Sequence, residues 1–224
     1  MAKLTFDHLV IGAARLAQGV DWVADRLGAA LSPGGSHPRM GTHNCLTALG
    51  PASFLEVIAI DPAAEPPPRP RWFALDDPAE RARLERRPRL LTWVAATDDI
   101  EASLARASAT GAELGRPVEM TRGDLTWLIS IRDDGALAEG GTLPALIQWP
   151  DRAHPAGAMT DLGLRLERLE LRHPEPTRLD AVLQAIGADA LTTIVRAKAP
   201  SLRALLRTPA IPGQRAAHGR AEIS

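Results

Sequence analysis

The sequence is short of cysteine. Cys45 stands alone among 224 residues, so no internal disulfide can form, and no Cys/His group has the spacing of a structural zinc site. That pattern suits a reducing compartment, and a cytoplasmic location is the expectation. Long apolar runs are missing too. None approaches the roughly 18 to 20 residues of a membrane span, and the start of the chain brings Asp7 and His8 in too early for a secretory leader. Charge of one sign is also lacking: the formal net charge is −1, and no stripe of Lys and Arg is interleaved with aromatics. Neither nucleic acid nor a membrane is therefore expected as a partner. What the chain does have is 45% hydrophobic residues, enough to bury the core of one large domain or of two intimately packed small ones.

Hydrophobic periodicity divides the chain into a repeated pattern. Leu4 to Gly12 alternates as a strand, with Phe6, His8 and Val10 on one face and Asp7, Leu9 and Ile11 on the other. Leu16, Val20, Val23 and Leu27 follow at helical spacing, with Gly28 as the stop. Ser32 to Pro38 reads as a Gly/Pro loop, and Met40 to Leu49 and Ser53 to Ile60 as extended runs joined at Gly50-Pro51. Asp61 to Pro70 is too rich in proline for a helix interior or a central strand, and a short helix is expected over Asp77 to Arg86.

The order then recurs. Leu90 to Thr97 is a strand, Asp98 to Gly111 a helix opened by Asp98 or Asp99, and Val118 to Met120, Leu125 to Ile131 and Leu143 to Trp149 are strands, with Arg122-Gly123-Asp124 as a turn. A βαββ-like piece follows: a strand over Leu164 to Arg172, a helix over Pro176 to Ile186, and strands over Ala190 to Ala197 and Leu202 to Thr208. The pattern gives an α+β chain with a module at 1–62, a connection at 63–88, a second module at 89–151, a C-terminal extension at 160–209 and a loose tail at 210–224.

Chemistry is sought where polar groups interrupt apolar strands. Glu56 shares its strand face with Phe54 and Ile58, and a carboxylate there is costly to bury without a partner. His8 lies in an apolar row of the same module, and imidazole with carboxylate is a common donor pair for divalent transition metals. Overlaying the two modules sets His8 opposite Trp93, and Glu56 opposite Gln148. Cys45 is read as a small buried hydrophobe, His154 and His218 as surface residues, and His173 as structural.

The ordered set Asp7-His8-Leu9-Val10-Ile11, Gly41-Thr42-His43-Asn44, Leu55-Glu56-Val57-Ile58, Pro70-Arg71-Trp72-Phe73, Leu91-Thr92-Trp93 and Leu143 to Trp149 resembles the glyoxalase-like branch of the vicinal oxygen chelate (VOC) superfamily, over roughly residues 4 to 209. The resemblance implies paired βαβββ modules whose sheets curl around a cavity, here with a C-terminal partial βαββ piece. It further implies metal ligands on the first and last strands of each module, so that His8 and Glu56 match the first pair while Trp93 and Gln148 fall on the second. Trp93 cannot coordinate a metal, and Gln148 offers only a neutral amide oxygen. The four-ligand set of the family is therefore incomplete, and neither glyoxalase nor extradiol dioxygenase chemistry transfers.

Two functions stay open at this level. One is a lyase- or isomerase-like enzyme acting on a small oxygenated metabolite. It would use a divalent ion (Zn, Mn, Fe, Ni or Co) on His8 and Glu56, with His43 moving a proton and Asn44, Trp127, Trp149 and Gln148 lining the cavity. The other is a metal-free protein that sequesters a hydrophobic or aromatic compound against Trp93 and Trp149. A homodimer, with the C-terminal extension forming its surface, is a further expectation.

Overall fold

The structure is a computed structural model and describes residues 4–122, 125–150, 154–209 and 219–224. The first module runs β1 (Thr5–Gly12), α1 (Leu16–Leu27), β2 (Ser32–His37), β3 (Thr42–Gly50) and β4 (Ser53–Ile60); α2 (Pro78–Arg86) lies in the connection. The second module repeats the order: β5 (Arg89–Ala96), α3 (Ile100–Ala109), β6 (Arg116–Arg122), β7 (Leu125–Ile131) and β8 (Ala145–Gln148). The helices begin and end where local chemistry requires it. Asp77 and Asp99 accept from the backbone N–H groups of Glu80 and Ala102, while Gly28, at φ 61°, closes α1 in the left-handed region that disfavours a Cβ.

All eight strands form one sheet in the order β2-β3-β4-β1-β5-β8-β7-β6. The modules are thus joined back to back through the antiparallel β1/β5 pair, while β1/β4 and β5/β8 pair in parallel. The sheet curls until its two edges meet: Arg39, just after β2, donates to the carbonyl of Glu119 on β6 at 3.1 Å, and the side chain of Arg122 packs on Gly35. Its convex face, with Leu9, Leu55 and Trp93, shares a core with α1 and α3. Its concave face, with Val10, Ile58, Val94, Trp127, Ile129 and Ile147, packs against Trp72, Phe73 and Leu75 from the connection.

The C-terminal piece forms a second sheet, β10-β9-β11-β12, from β9 (Arg165–His173), β10 (Thr193–Arg196), β11 (Ser201–Arg207) and β12 (Arg220–Ile223), with α4 (Pro176–Ile186) between β9 and β10. Leu171, Leu183 and Leu206 of this piece belong to the convex-face core, so it completes the main core rather than standing outside it.

Three expectations are corrected by this arrangement. Ser32–His37 is a strand, not a loop: Gly34 leaves room for the side chain of Asn44 and Gly35 for that of Arg122, and the pair accommodates an irregularity between Pro33 and Gly35, so glycine here permits close approach rather than a turn. The stretch after Pro209 is not all loose tail, because β12 pairs with β11 and buries Ile223; residues 210–218 lie outside the described residues. Finally, simple alternation fails in β1. Phe6 opposes Ala95 and His8 opposes Val94, leaving Asp7 as the extra residue of a β-bulge. Phe6 therefore joins the convex-face core.

Candidate functional site

The bulge sets Asp7 beside His8. Asp7 Oδ1 lies 2.6 Å from His8 Nδ1, and Oδ2 accepts from the indole N–H of Trp149 at 2.8 Å and meets His154 Nε2 at 3.2 Å. Burial pushes the Asp7 carboxyl upward, but hydrogen bonds from His154 and His8, together with their charges, outweigh that effect and hold it at about 2. Asp7 is therefore an ionised, acceptor-only group at neutral pH, and His8 Nδ1 must be the donor. His154 is fixed in the same sense: its Nδ1 accepts from the backbone N–H of Ala156, leaving Nε2 to donate to Asp7. A surface role was expected for His154, but its side chain is only 18% exposed.

With Nδ1 committed to Asp7, His8 turns Nε2 toward Glu56 Oε2 at 3.7 Å, and its ring stacks on Phe54 at 4.3 Å. Glu56 Oε1 in turn accepts from the Asn44 amide at 2.5 Å. All four polar residues are buried, at 5% exposure or less. Ionic and polar groups at such depth are tolerated because Asp7 is bonded to His8, Trp149 and His154, and Glu56 to Asn44.

His8, Asn44 and Glu56 line a cavity on the concave face, of about 370 Å³ including its mouth. Its walls are aromatic and aliphatic: Phe54, Trp72, Trp127, Trp149, Ile129 and Ile147. His37 and Arg122 complete it. Burial, followed by the charges of Arg122, His43 and His8, pushes His37 down to about 3, so it is neutral under ordinary conditions.

The structure thus brings together His8, Glu56, Asn44, Trp127 and Trp149 from the expected set. It places the other three elsewhere. Trp93 points into the convex-face core and donates its indole N–H to the carbonyl of Thr142 at 3.1 Å. The cavity-facing neighbour on β5 is Val94, which lies opposite His8 and shares the concave face with Val10. Gln148 accepts from the backbone N–H of Ile100 at 2.9 Å and so caps α3 from outside the cavity. His43 lies in a separate, larger and mainly apolar cavity of about 980 Å³, mouth included, between the start of α1 and α2.

Several members of the site escaped the sequence reading. Asp7 carried the same signal as Glu56, a carboxylate within an apolar strand, but alternation assigned it to the opposite face. Arg122 was read as part of a turn and is the last residue of β6. Nothing local distinguished His37 or His154, and Trp72 stood in a segment of the family resemblance without a site role; all three reach the site through tertiary packing.

The donors do not make the metal site that the family pattern implies. His8 Nε2 and Glu56 Oε2 could face a common ion, but no cluster of three or more His, Cys, Asp or Glu suited to a metal occurs among the described residues. The remaining two ligand positions correspond to cavity-facing Val94 and Ile147, both apolar, whereas catalytic zinc sites use three protein ligands. Glu56 Oε1 is already bonded to Asn44, and the guanidinium of Arg122 supplies a positive charge that acts on Glu56.

The glyoxalase-like domain family matches residues 6–187. The chain belongs to that family. It is a VOC-fold protein, and solved structures share the architecture. A hypothetical protein from Staphylococcus aureus is 15% identical, with TM-score 0.60 over 88% of each chain. A 4-hydroxymandelate synthase mutant from Streptomyces coelicolor is 14% identical, with TM-score 0.53 over 93% of this chain and 60% of that one. No curated protein sequence matches the chain. At these identities the structural likeness speaks for the fold alone.

Proposed function

We propose that this glyoxalase-like domain protein transfers a proton on a small organic molecule held in the concave cavity, with His8 as the acid–base group. The observation that carries the reading is the buried Asp7–His8 pair at 2.6 Å. An ionised carboxylate on Nδ1 fixes the ring orientation and leaves Nε2 as the nitrogen that exchanges a proton, and it stabilises the imidazolium once formed. Glu56, held by Asn44, stands next to Nε2 and offers a second acceptor on the same side of the cavity. The aromatic walls lower the local polarity around His8 and Glu56, which strengthens each of these interactions. No step is assigned to a metal, since the residues present do not supply its ligands.

The reading is tested with small carbonyl compounds that carry an exchangeable C–H, incubated with the protein in D₂O and followed by proton NMR. Protein-catalysed loss of the C–H signal is expected, with His8→Asn lowering the rate by roughly 10² to 10⁴. Exchange that persists unchanged in His8→Asn overturns the assignment. The aromatic walls also favour a second reading, a binding protein without chemistry; saturable ligand binding without any exchange across the set supports that alternative.

A further inference from the structure

The cavity holds a cation that the acid–base pair does not use. Arg122 closes the curl of the sheet, with its guanidinium carbon 6.0 Å from the centre of the Trp127 ring and its stem against Gly35, where a Cβ would come within 2.8 Å of its Cδ. Its guanidinium makes no ion pair or hydrogen bond with any other described residue. Burial lowers its pKa and the charge of Glu56 raises it. On the same wall, the indole N–H of Trp72 is buried without a partner, in a residue only 4% exposed. A buried donor without an acceptor is rare and costly, and together with the half-buried guanidinium of Arg122 on the same cavity it calls for oxygen atoms on whatever enters. Glu56 cannot meet that need alone, because one of its oxygens is bonded to Asn44 and the other faces His8.

The shape of the occupant follows from the walls. Trp127 and Trp149 lie 5.3 Å apart with a tilt of 36°, and Phe54 is stacked on His8 on another side. Flat apolar surfaces of this kind favour a flat body. A planar guanidinium matches a carboxylate through two parallel N–H···O bonds, which a lysine ammonium cannot reproduce.

We infer that the cavity binds a small, flat organic carboxylate, with Arg122 receiving the carboxylate and the Trp72 N–H a further oxygen. This rests on the concave cavity being the ligand site proposed above, and it adds the class of substrate. The test uses benzoate and its neutral counterpart benzamide, titrated into the full chain and read by tryptophan fluorescence and calorimetry. Benzoate is expected to bind at least about tenfold more tightly than benzamide, a difference of about 1.4 kcal/mol. Arg122→Gln abolishes the preference, and Arg122→Lys keeps only part of it. Equal affinities, no saturable benzoate binding, or a preference that survives in Arg122→Gln overturns the inference. If Arg122→Gln fails to fold, the wild-type comparison of the two ligands decides. The two proposals fail separately: a carboxylate preference without D₂O exchange removes only the proton transfer, whereas exchange on neutral compounds without that preference removes only the carboxylate.

Discussion

The two halves of the curled sheet share a strand order and differ in what they turn inward. The first half presents His8, Asn44, Glu56 and, through the bulge, Asp7 to the concave side; the second presents Val94, Ile129 and Ile147, with Trp127 as a flat wall. The first half thus carries the buried polar network around His8, and the second supplies apolar and aromatic walls together with Arg122. The difference teaches that the module repeat preserves backbone geometry while chemistry is free to sit on one copy only. It also explains why pairing the modules residue by residue misled: Trp93 and Gln148 occupy equivalent stretches of sequence but serve the core and a helix terminus.

The comparison can be broken most severely at Trp93. If the second half contributes packing there rather than ligand contact, Trp93→Ala destabilises the fold by about 3–5 kcal/mol in urea denaturation. Ligand affinity in the fraction that remains folded should be unchanged. A variant that is stable but binds ligand poorly would return Trp93 to the cavity.

The polar first half should respond to acid. The folded-state pKa of His37 is depressed to about 3 from 6.5, so the unfolded chain takes up a proton first as pH falls. Its contribution to stability is therefore intact above pH 6.5 and declines by up to about 1.4 kcal/mol per pH unit below it, until the folded form titrates near 3. Denaturation midpoints of wild type and His37→Asn between pH 7 and 5 check this: the variant should have the flatter profile, whatever its absolute stability. Asp7 acts in a separate, lower window, since a carboxyl held at about 2 contributes stability above roughly pH 4 that disappears as pH falls through 2.

The smallest expected effect is at Gln148. Removing its acceptor from the Ile100 N–H in Gln148→Ala costs about 0.5–2 kcal/mol, in line with other helix N-terminal caps, and leaves ligand binding untouched. Loss of ligand affinity in that variant would restore Gln148 to the site.

Much of the fold was legible because hydrophobic period and turn chemistry agree along most of the chain. The strand, helix and hairpin order of both modules follows from alternation, from Asp caps before α2 and α3, and from glycine after α1. What escaped had physical causes. A β-bulge adds a residue without a sequence signature, so the faces of Phe6 and Asp7 were exchanged. A strand built on Ser-Pro-Gly-Gly-Ser-His carries no apolar pattern, and its pairing with β3 is imposed by tertiary contacts. Within the site, Glu56 and His8 were visible as polar groups on apolar strands. Arg122 and Trp72 come from an edge strand and a connecting segment that only the closed curl brings to one cavity, and His154, from the stretch after β8, reaches the site by its bond to Asp7.

The most direct test of the account is the protonation pattern of His8, read by long-range ¹H–¹⁵N correlation NMR on the wild type and on Asp7→Asn. Neutral His8 is expected to carry its proton on Nδ1, bonded to Asp7, with Nε2 bare toward the cavity, and Asp7→Asn to disturb this preference. A neutral His8 protonated on Nε2 in the wild type would contradict it.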